Sequence, residues 1–186
     1  RITTPIENDE IKTENYKEFI TSFLELIPFA DYNTCYIFQA ALNFHKCRIA
    51  TEELGFTWGA DLIWKKNNMV FGRKDYKFKH EPILYCWKGK HKFYGPNNRN
   101  TILEYDRPHV SDLHPTMKPI ELMAQLITDG TKKGMNVFDP FCGSGSTLMA
   151  CEQTKRTCYG MEIDRFYVQV IIDRWEKFTG KKAVKI

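Results

Sequence analysis

The sequence predicts an α/β fold with a largely parallel, doubly wound sheet. Short apolar runs of strand length alternate along the chain with longer segments whose apolar residues recur at helical spacing, as in βαβ units. Two glycines, Gly143 and Gly145, separate a predicted strand from a predicted helix, which is where such sheets bind ligands. With 186 residues, 42% of them hydrophobic and 27% charged, the chain has the size and composition of one globular domain.

The elements are predicted in chain order from this periodicity. The first helix is expected over 13–27, where apolar residues recur every three or four positions and Pro28 ends the run. The other helices are predicted at 41–53, after 114–119, within 143–154 after a turn, and at 165–178. The strands are predicted at 34–40, 56–66, 81–88, 135–139 and 157–164, with a basic loop between the second and third.

Positive charge is concentrated in one stretch. Residues 65–100 contain ten cations and two acids, a net charge of +8 against +4 for the whole chain, so the other residues sum to −4. Aromatic residues interleave with the cations, a composition that suits phosphate neutralisation and base stacking. Composition alone leaves an ordinary solvated basic surface open as the alternative.

Several classes of protein do not fit the sequence. No apolar run approaches the ~20 residues of a membrane span, and the first residues lack the pattern of a signal peptide, so a cytoplasmic protein is expected. The six cysteines form no C-x-x-C pair. Reduced thiols are therefore expected. The histidines have no metal-binding spacing, so no metal site is expected.

The glycine loop is the most informative segment. Val137–Thr147 reads VFDPFCGSGST, in which two glycines permit a tight turn and close approach of a ligand to the backbone. The next predicted strand leads to Glu162 and Asp164, acids that can accept hydrogen bonds from ribose hydroxyls, so a nucleoside cofactor is predicted. The glycine pair alone leaves an ordinary strand–helix turn open as the alternative. A nicotinamide site is disfavoured because Leu148 occupies the third glycine position, and the P-loop pattern is absent.

Two motifs carry a family resemblance. DPFCGSGST at 139–147 resembles the S-adenosylmethionine-binding motif of amino-group DNA methyltransferases, and HPTMKP at 114–119 looks like their cofactor-pocket motif. Their order is similar to the β-type circular arrangement, and WKKNN, HEPILY and RWEKFTGK resemble phage and mobile-element members, some of them fused to ParB-like domains.

The resemblance implies a Rossmann-like class I S-adenosylmethionine-dependent methyltransferase fold, circularly permuted. One domain would span 1–186, with target-recognition loops at 67–110 and a cofactor-binding part at 111–180.

The resemblance also implies site residues. The cofactor would be bound by Thr116, Lys118, Asp139, Phe141, Gly143, Ser144, Gly145, Thr147 and Glu162, with Ser146 adding contacts and Asp164 as the less favoured acid. A cation such as Lys118 suits the cofactor's carboxylate. Phosphate contacts are expected from Arg73, Lys74, Lys77, Lys79, Lys90 and Lys92, and base-edge contacts from Asn97, Asn98 and Arg99. Cys142 is expected to be a small loop residue rather than a nucleophile.

The catalytic residues stay unknown from the sequence. The family's catalytic motif, Asp or Ser followed by Pro-Pro and an aromatic residue, does not occur in it. We therefore expect a C-terminal portion of a methyltransferase, inactive alone, with an incomplete sheet. Because unpaired strand edges are unfavourable, an N-terminal fragment or a homodimer is expected to complete the sheet.

The expected reaction is transfer of a methyl group from S-adenosylmethionine to an exocyclic amino group of double-stranded DNA, within restriction-modification. Resemblance favours adenine-N6 over cytosine-N4, and the expected location is the cytoplasm of a bacterial or phage-infected cell. Two alternatives stay open: the same fold acting on RNA or protein, and a non-catalytic DNA-binding remnant.

Overall fold

The computed structural model describes residues 13–69, 75–106 and 117–186. These residues form two compact units, one before and one after the segment 107–116. Among them, no helix combines the length and the apolar character needed to cross a membrane. In the same ranges, no group of three or more His, Cys, Asp or Glu residues is placed to hold a metal ion.

The first unit contains a four-stranded sheet and two helices. A 3-10 turn at Thr13–Asn15 leads into α1 (Tyr16–Leu26), followed by β1 (Cys35–Phe38), α2 (Phe44–Glu53), β2 (Phe56–Lys65), β3 (His80–Lys88) and β4 (Ile102–Glu104). The strand order is β1-β3-β2-β4. Strand β3 is antiparallel to both β1 and β2, whereas β4 is parallel to β2. Strands β1, β2 and β4 therefore run in one direction and β3 alone runs in the other.

The expectation of a largely parallel sheet is thus wrong for the pairings of β3. The described parts of the connection between β2 and β3, residues 66–69 and 75–79, contain no helix. A parallel neighbour needs a crossover of a dozen or more residues, usually a helix, whereas antiparallel neighbours do not. Strand β4 was not predicted from the sequence, because three residues are too few to show periodicity.

Helices α1 and α2 cover one face of this sheet. The core there contains Ile20 and Leu24 of α1, Cys47 and Ala50 of α2, and Phe56, Leu84 and Cys86 of the strands. The spacing of four between Ile20 and Leu24 places both on one side of α1. The apolar residues that recur at helical spacing in the sequence are therefore the ones that pack on the sheet.

The second unit is a βαβ arrangement between two further helices. It consists of α3 (Ile120–Gly130), β5 (Asn136–Asp139), α4 (Ser146–Thr154), β6 (Thr157–Gly160) and α5 (Arg165–Thr179). Strands β5 and β6 are parallel, as expected for strands joined by a helix. Val137 and Cys158 pack against α3 and α4, whereas Phe138 and Tyr159 point to the opposite, exposed face.

Candidate functional site

The glycine loop lies where β5 ends and α4 begins. Gly143 has φ +52° and Gly145 φ +80°, the left-handed region that glycine adopts without steric cost. The Gly145 N–H donates to the Cys142 carbonyl at 2.8 Å, which closes the turn directly before Ser146 starts the helix. The two glycines singled out from the sequence are therefore required by the backbone of this turn.

Asp139 connects the end of β5 to the first turn of α4. One of its carboxylate oxygens accepts the Phe141 N–H at 3.0 Å, and the other accepts the Thr147 hydroxyl at 2.5 Å. Thr147 is buried, whereas Phe141 is exposed. The predicted motif residues Asp139 and Thr147 thus hold the loop in shape, and the Phe141 ring lies at its surface.

Two neighbouring acids at the end of β6 have different partners. Glu162 accepts the Gly143 N–H at 2.7 Å with one oxygen and the Asp164 N–H at 2.9 Å with the other. Asp164 is the N-cap of α5, where its side chain accepts the Phe166 N–H at 2.8 Å. Because the Asp164 side chain caps a helix and Glu162 contacts the glycine loop, the geometry favours Glu162 as the ligand-binding acid.

The residue before Pro119 also reaches this site. The buried Ser146 donates its hydroxyl to the Lys118 carbonyl at 2.8 Å, which joins the start of α3 to the start of α4. The segments containing the two sequence motifs are therefore in contact. Thr116, predicted beside Lys118, lies outside the described residues.

Cys142 has the environment of a packed thiol. Its sulfur lies 3.4 Å from the Asp139 carbonyl, and burial, with the nearby Asp139 carboxylate as a smaller cause, raises its pKa well above the ordinary value. A nucleophilic cysteine requires a lowered pKa, so this environment agrees with a structural role.

Contacts behind the loop were not predicted from the sequence. Arg174 of α5 donates a hydrogen bond to the carbonyl of Ser144, which is itself buried. Exposed apolar side chains, Met161 and Ile163, flank Glu162 and offer a surface for a flat ring. No sequence motif identifies Arg174, or Met161 and Ile163, because these residues come from a helix and a strand end with ordinary composition.

The basic stretch does not form one patch along the sheet. Lys77 and Lys79 precede β3, whereas Lys90 and Lys92 follow it. At about 3.4 Å per residue, the two ends of β3 are roughly 27 Å apart. The first end lies beside the carboxyl ends of β1 and β2, since Phe38 pairs with Ile83 and Lys65 with His80, and β4 ends beside the same Lys65.

The other residues predicted to contact DNA lie at several different places in the first unit or outside the described residues. Lys90 lies over the Tyr32 ring at 5.6 Å, and Lys92 over the Tyr94 ring at 5.8 Å. Asn97, Asn98 and Arg99 lie just before β4, which starts beside Ile63 of β2. Arg73 and Lys74 lie outside the described residues. Ligands of α/β sheets bind at the carboxyl ends of strands, so Lys77 and Lys79 are at the more favourable end.

Known proteins resemble the chain over most of its length. A family model described as DNA methylase (N6_N4_Mtase) matches residues 4–173. Type II methyltransferase M.Cfr9I of Citrobacter freundii is 29% identical over 67% of this chain and 46% of its own length. Type II methyltransferase M.HpaI of Haemophilus parainfluenzae is 24% identical over 95% of this chain and 65% of its own length. The chain therefore spans about half to two thirds of these relatives.

A solved structure, the M1.HpyAVI–SAM complex, has a TM-score of 0.74 and 28% identity, covering 88% of this chain and 83% of that one. The fold is thus that of the class I DNA methyltransferases, as the sequence predicted. The chain belongs to the DNA methylase family of N6/N4 amino methyltransferases. The circular permutation and the phage or ParB association stay predictions.

Proposed function

We propose that this chain is the cofactor-binding and target-binding part of a site-specific DNA methyltransferase that uses S-adenosylmethionine. The observation that carries the proposal is the hydrogen bond from the Gly143 N–H to Glu162, which brings the glycine loop and an acid together at the carboxyl ends of β5 and β6. The similarity to M1.HpyAVI, whose structure contains SAM, supports the choice of cofactor.

The residues present fit this cofactor chemically. A carboxylate has about four lone-pair positions, so Glu162 can bind its two backbone N–H groups and still accept ribose hydroxyls. The Lys118 side chain, with Thr116, would pair with the cofactor's carboxylate, and Phe141 would cover its methionine side. The bound cofactor supplies a methyl group activated on a sulfonium. The chain's own residues bind and orient it.

The cofactor site is tested by a matched pair of glycine variants. Gly145 and Gly134 have φ of +80° and +81°, but a Cβ at Gly145 would lie 3.1 Å from Ile171, whereas a Cβ at Gly134 meets nothing within 4 Å. Gly145→Asp is expected to abolish calorimetric binding of S-adenosylmethionine, and Gly134→Asp to preserve it. Unchanged affinity in folded Gly145→Asp would remove the site assignment.

DNA is proposed to contact the end of the sheet that carries Lys77 and Lys79, with residues 67–110 as the target-recognition loops. Arg99, which lies just before the start of β4, is proposed as a further contact. Each lost phosphate contact makes the negative slope of log affinity against log salt less steep by about 0.9. The double variant Lys77→Ala/Lys79→Ala should therefore reduce the steepness by about 1.8 in duplex binding. Lys90→Ala/Lys92→Ala is the charge-matched comparison. An equal reduction of the salt dependence in both double variants would show that the two ends of β3 contribute alike to DNA binding. That result would contradict the proposed preference for the end that carries Lys77 and Lys79.

The target is proposed to be adenine-N6, a choice that rests on resemblance alone. An exocyclic amine is a weak nucleophile, and holding a flipped base in position promotes its attack. The groups that hold the base are not identified in this sequence, so we propose that activity requires another fragment or a second copy. Digestion of treated DNA and mass spectrometry distinguish N6-methyladenine from N4-methylcytosine. Finding only the latter would contradict the choice of adenine.

Two other functions are separated by one assay. Transfer of a tritiated methyl group to duplex DNA, RNA and protein, measured with any completing fragment added, distinguishes an enzyme acting on DNA from one acting on RNA or protein. A non-catalytic remnant would bind duplex DNA with strong salt dependence and would not bind the cofactor.

A further inference from the structure

One face of α5 lies against the back of the glycine loop. Ile171 and Arg174 are three residues apart and therefore share that face. Ile171 approaches Gly145 so closely that an added Cβ would be 3.1 Å from it, and Arg174 donates a hydrogen bond to the Ser144 carbonyl. Two independent contacts thus reach the same peptide unit, Ser144–Gly145, from one helix.

Both polar groups of this peptide unit, its carbonyl and its N–H, are hydrogen-bonded. Its carbonyl accepts from Arg174, and its N–H, that of Gly145, donates to the Cys142 carbonyl at 2.8 Å. Glycine rotates its peptides more freely than other residues, so a Ser–Gly peptide without these bonds could turn over at little steric cost. Rotation of the peptide plane would break both hydrogen bonds at once.

The electrostatics of Arg174 point to the same role. The side chain is half-buried, and burial lowers the pKa of its guanidinium. Within the described residues, no carboxylate lies at ion-pair distance from it, and its hydrogen bond is to the Ser144 carbonyl. Partial burial of a cation is costly unless the cation is hydrogen-bonded, and an apolar side chain would fill the same space at lower cost.

We propose that Arg174 is a positioning residue that fixes the Ser144–Gly145 peptide in the orientation needed to bind the cofactor. This inference rests on the proposed function, since it assigns the glycine loop to S-adenosylmethionine. Arg174 acts through the loop backbone and does not touch the cofactor itself.

The test compares Arg174→Met with Lys177→Met, which removes an exposed cation from the same helix. Calorimetry should show that Arg174→Met weakens cofactor binding at least about tenfold, as expected for loss of a charged hydrogen bond, whereas Lys177→Met stays near wild type. Duplex DNA affinity and the unfolding temperature are measured in parallel, because general destabilisation would change both. If Arg174→Met does not fold, Arg174→Gln is measured in the same way.

Two readouts distinguish positioning from simple structural support. Millimolar guanidinium chloride should restore cofactor affinity to Arg174→Ala, whereas sodium chloride at equal concentration should not. Amide exchange at Gly145 should accelerate in Arg174→Met and stay unchanged in Lys177→Met. Wild-type cofactor affinity in folded Arg174→Met, or unchanged Gly145 exchange, overturns the proposal. If the wild-type chain binds no cofactor, the proposed function fails, and the exchange measurement still decides whether Arg174 fixes the peptide.

Discussion

Replacement of Gly160 by alanine tests the packing between β6 and the glycine loop. A Cβ built at Gly160 would lie 2.3 Å from the Cys142 sulfur, whereas the next nearest atoms, the Cys142 Cβ and the Asp139 carbonyl oxygen, are at 3.9 and 4.0 Å. Favourable contacts between heavy atoms begin near 3.5 Å, so the sulfur would have to move by more than about 1 Å. The clash therefore involves one atom of one side chain.

The cost can be worked out from this geometry. Rotation of the sulfur away from Gly160 also breaks its contact with the Asp139 carbonyl at 3.4 Å. Overpacking of this kind costs about 1–3 kcal/mol. In a Cys142→Ala background the sulfur is gone and the remaining distances are ordinary contacts, so Gly160→Ala should then be close to neutral, or stabilising by a few tenths of a kcal/mol through its unfolded state.

The assay is a double-mutant cycle by urea unfolding with all four chains. We expect an interaction energy of about 1 kcal/mol or more, with the double variant more stable than the sum of the single variants predicts. An equal cost of Gly160→Ala in both backgrounds would refute the reasoning. Cofactor affinity, measured on the same proteins, should fall with Gly160→Ala and recover in the double variant.

In the first unit, the packing at Gly59, the buried Cys47 thiol and the hydrogen bond of Asn33 can each be tested by one substitution. Gly59→Ala should destabilise by about 1–3 kcal/mol in urea unfolding, because its Cβ would lie 2.6 Å from the Trp87 ring. Burial raises the pKa of the Cys47 thiol from 9.0 to about 12, so the unfolded chain loses this proton first as pH rises. Stability should fall by about 1.4 kcal/mol between pH 8 and pH 10, and Cys47→Ala should remove that part of the slope. Asn33→Ala should accelerate amide exchange at Lys88, whose N–H donates to the Asn33 side chain at 2.9 Å.

Most elements could be predicted because their sequence patterns reflect their packing. The helix expected over 13–27 is α1 at Tyr16–Leu26, and the strand expected at 135–139 is β5 at Asn136–Asp139. The strand expected at 157–164 ends earlier, at Gly160. A window of alternating or apolar residues cannot show that Asp164 caps the following helix, because capping depends on where the chain turns.

The direction of β3 could not be read from local patterns either. Its apolar residues fit a strand of either orientation, and pairing is decided by the connection to β2. That reversal decides which lysine pair lies at the carboxyl ends of the neighbouring strands. Because β3 is antiparallel to β1 and β2, Lys77 and Lys79 lie there, and Lys90 and Lys92 lie at the other end of β3, roughly 27 Å away.

The residue types in the glycine motif predict the shape of the loop, but they do not predict which contacts maintain that shape. Gly143 and Gly145 are needed at positive φ, which is a local property of the backbone. The groups that satisfy this backbone, Glu162 and Arg174, come 19 and 30 residues after the loop residues they contact. Such partners depend on the packing of β6 and α5 against α4. Since loop shape determines which N–H groups a ligand meets, affinity for the cofactor should depend as strongly on these distant side chains as on the motif itself.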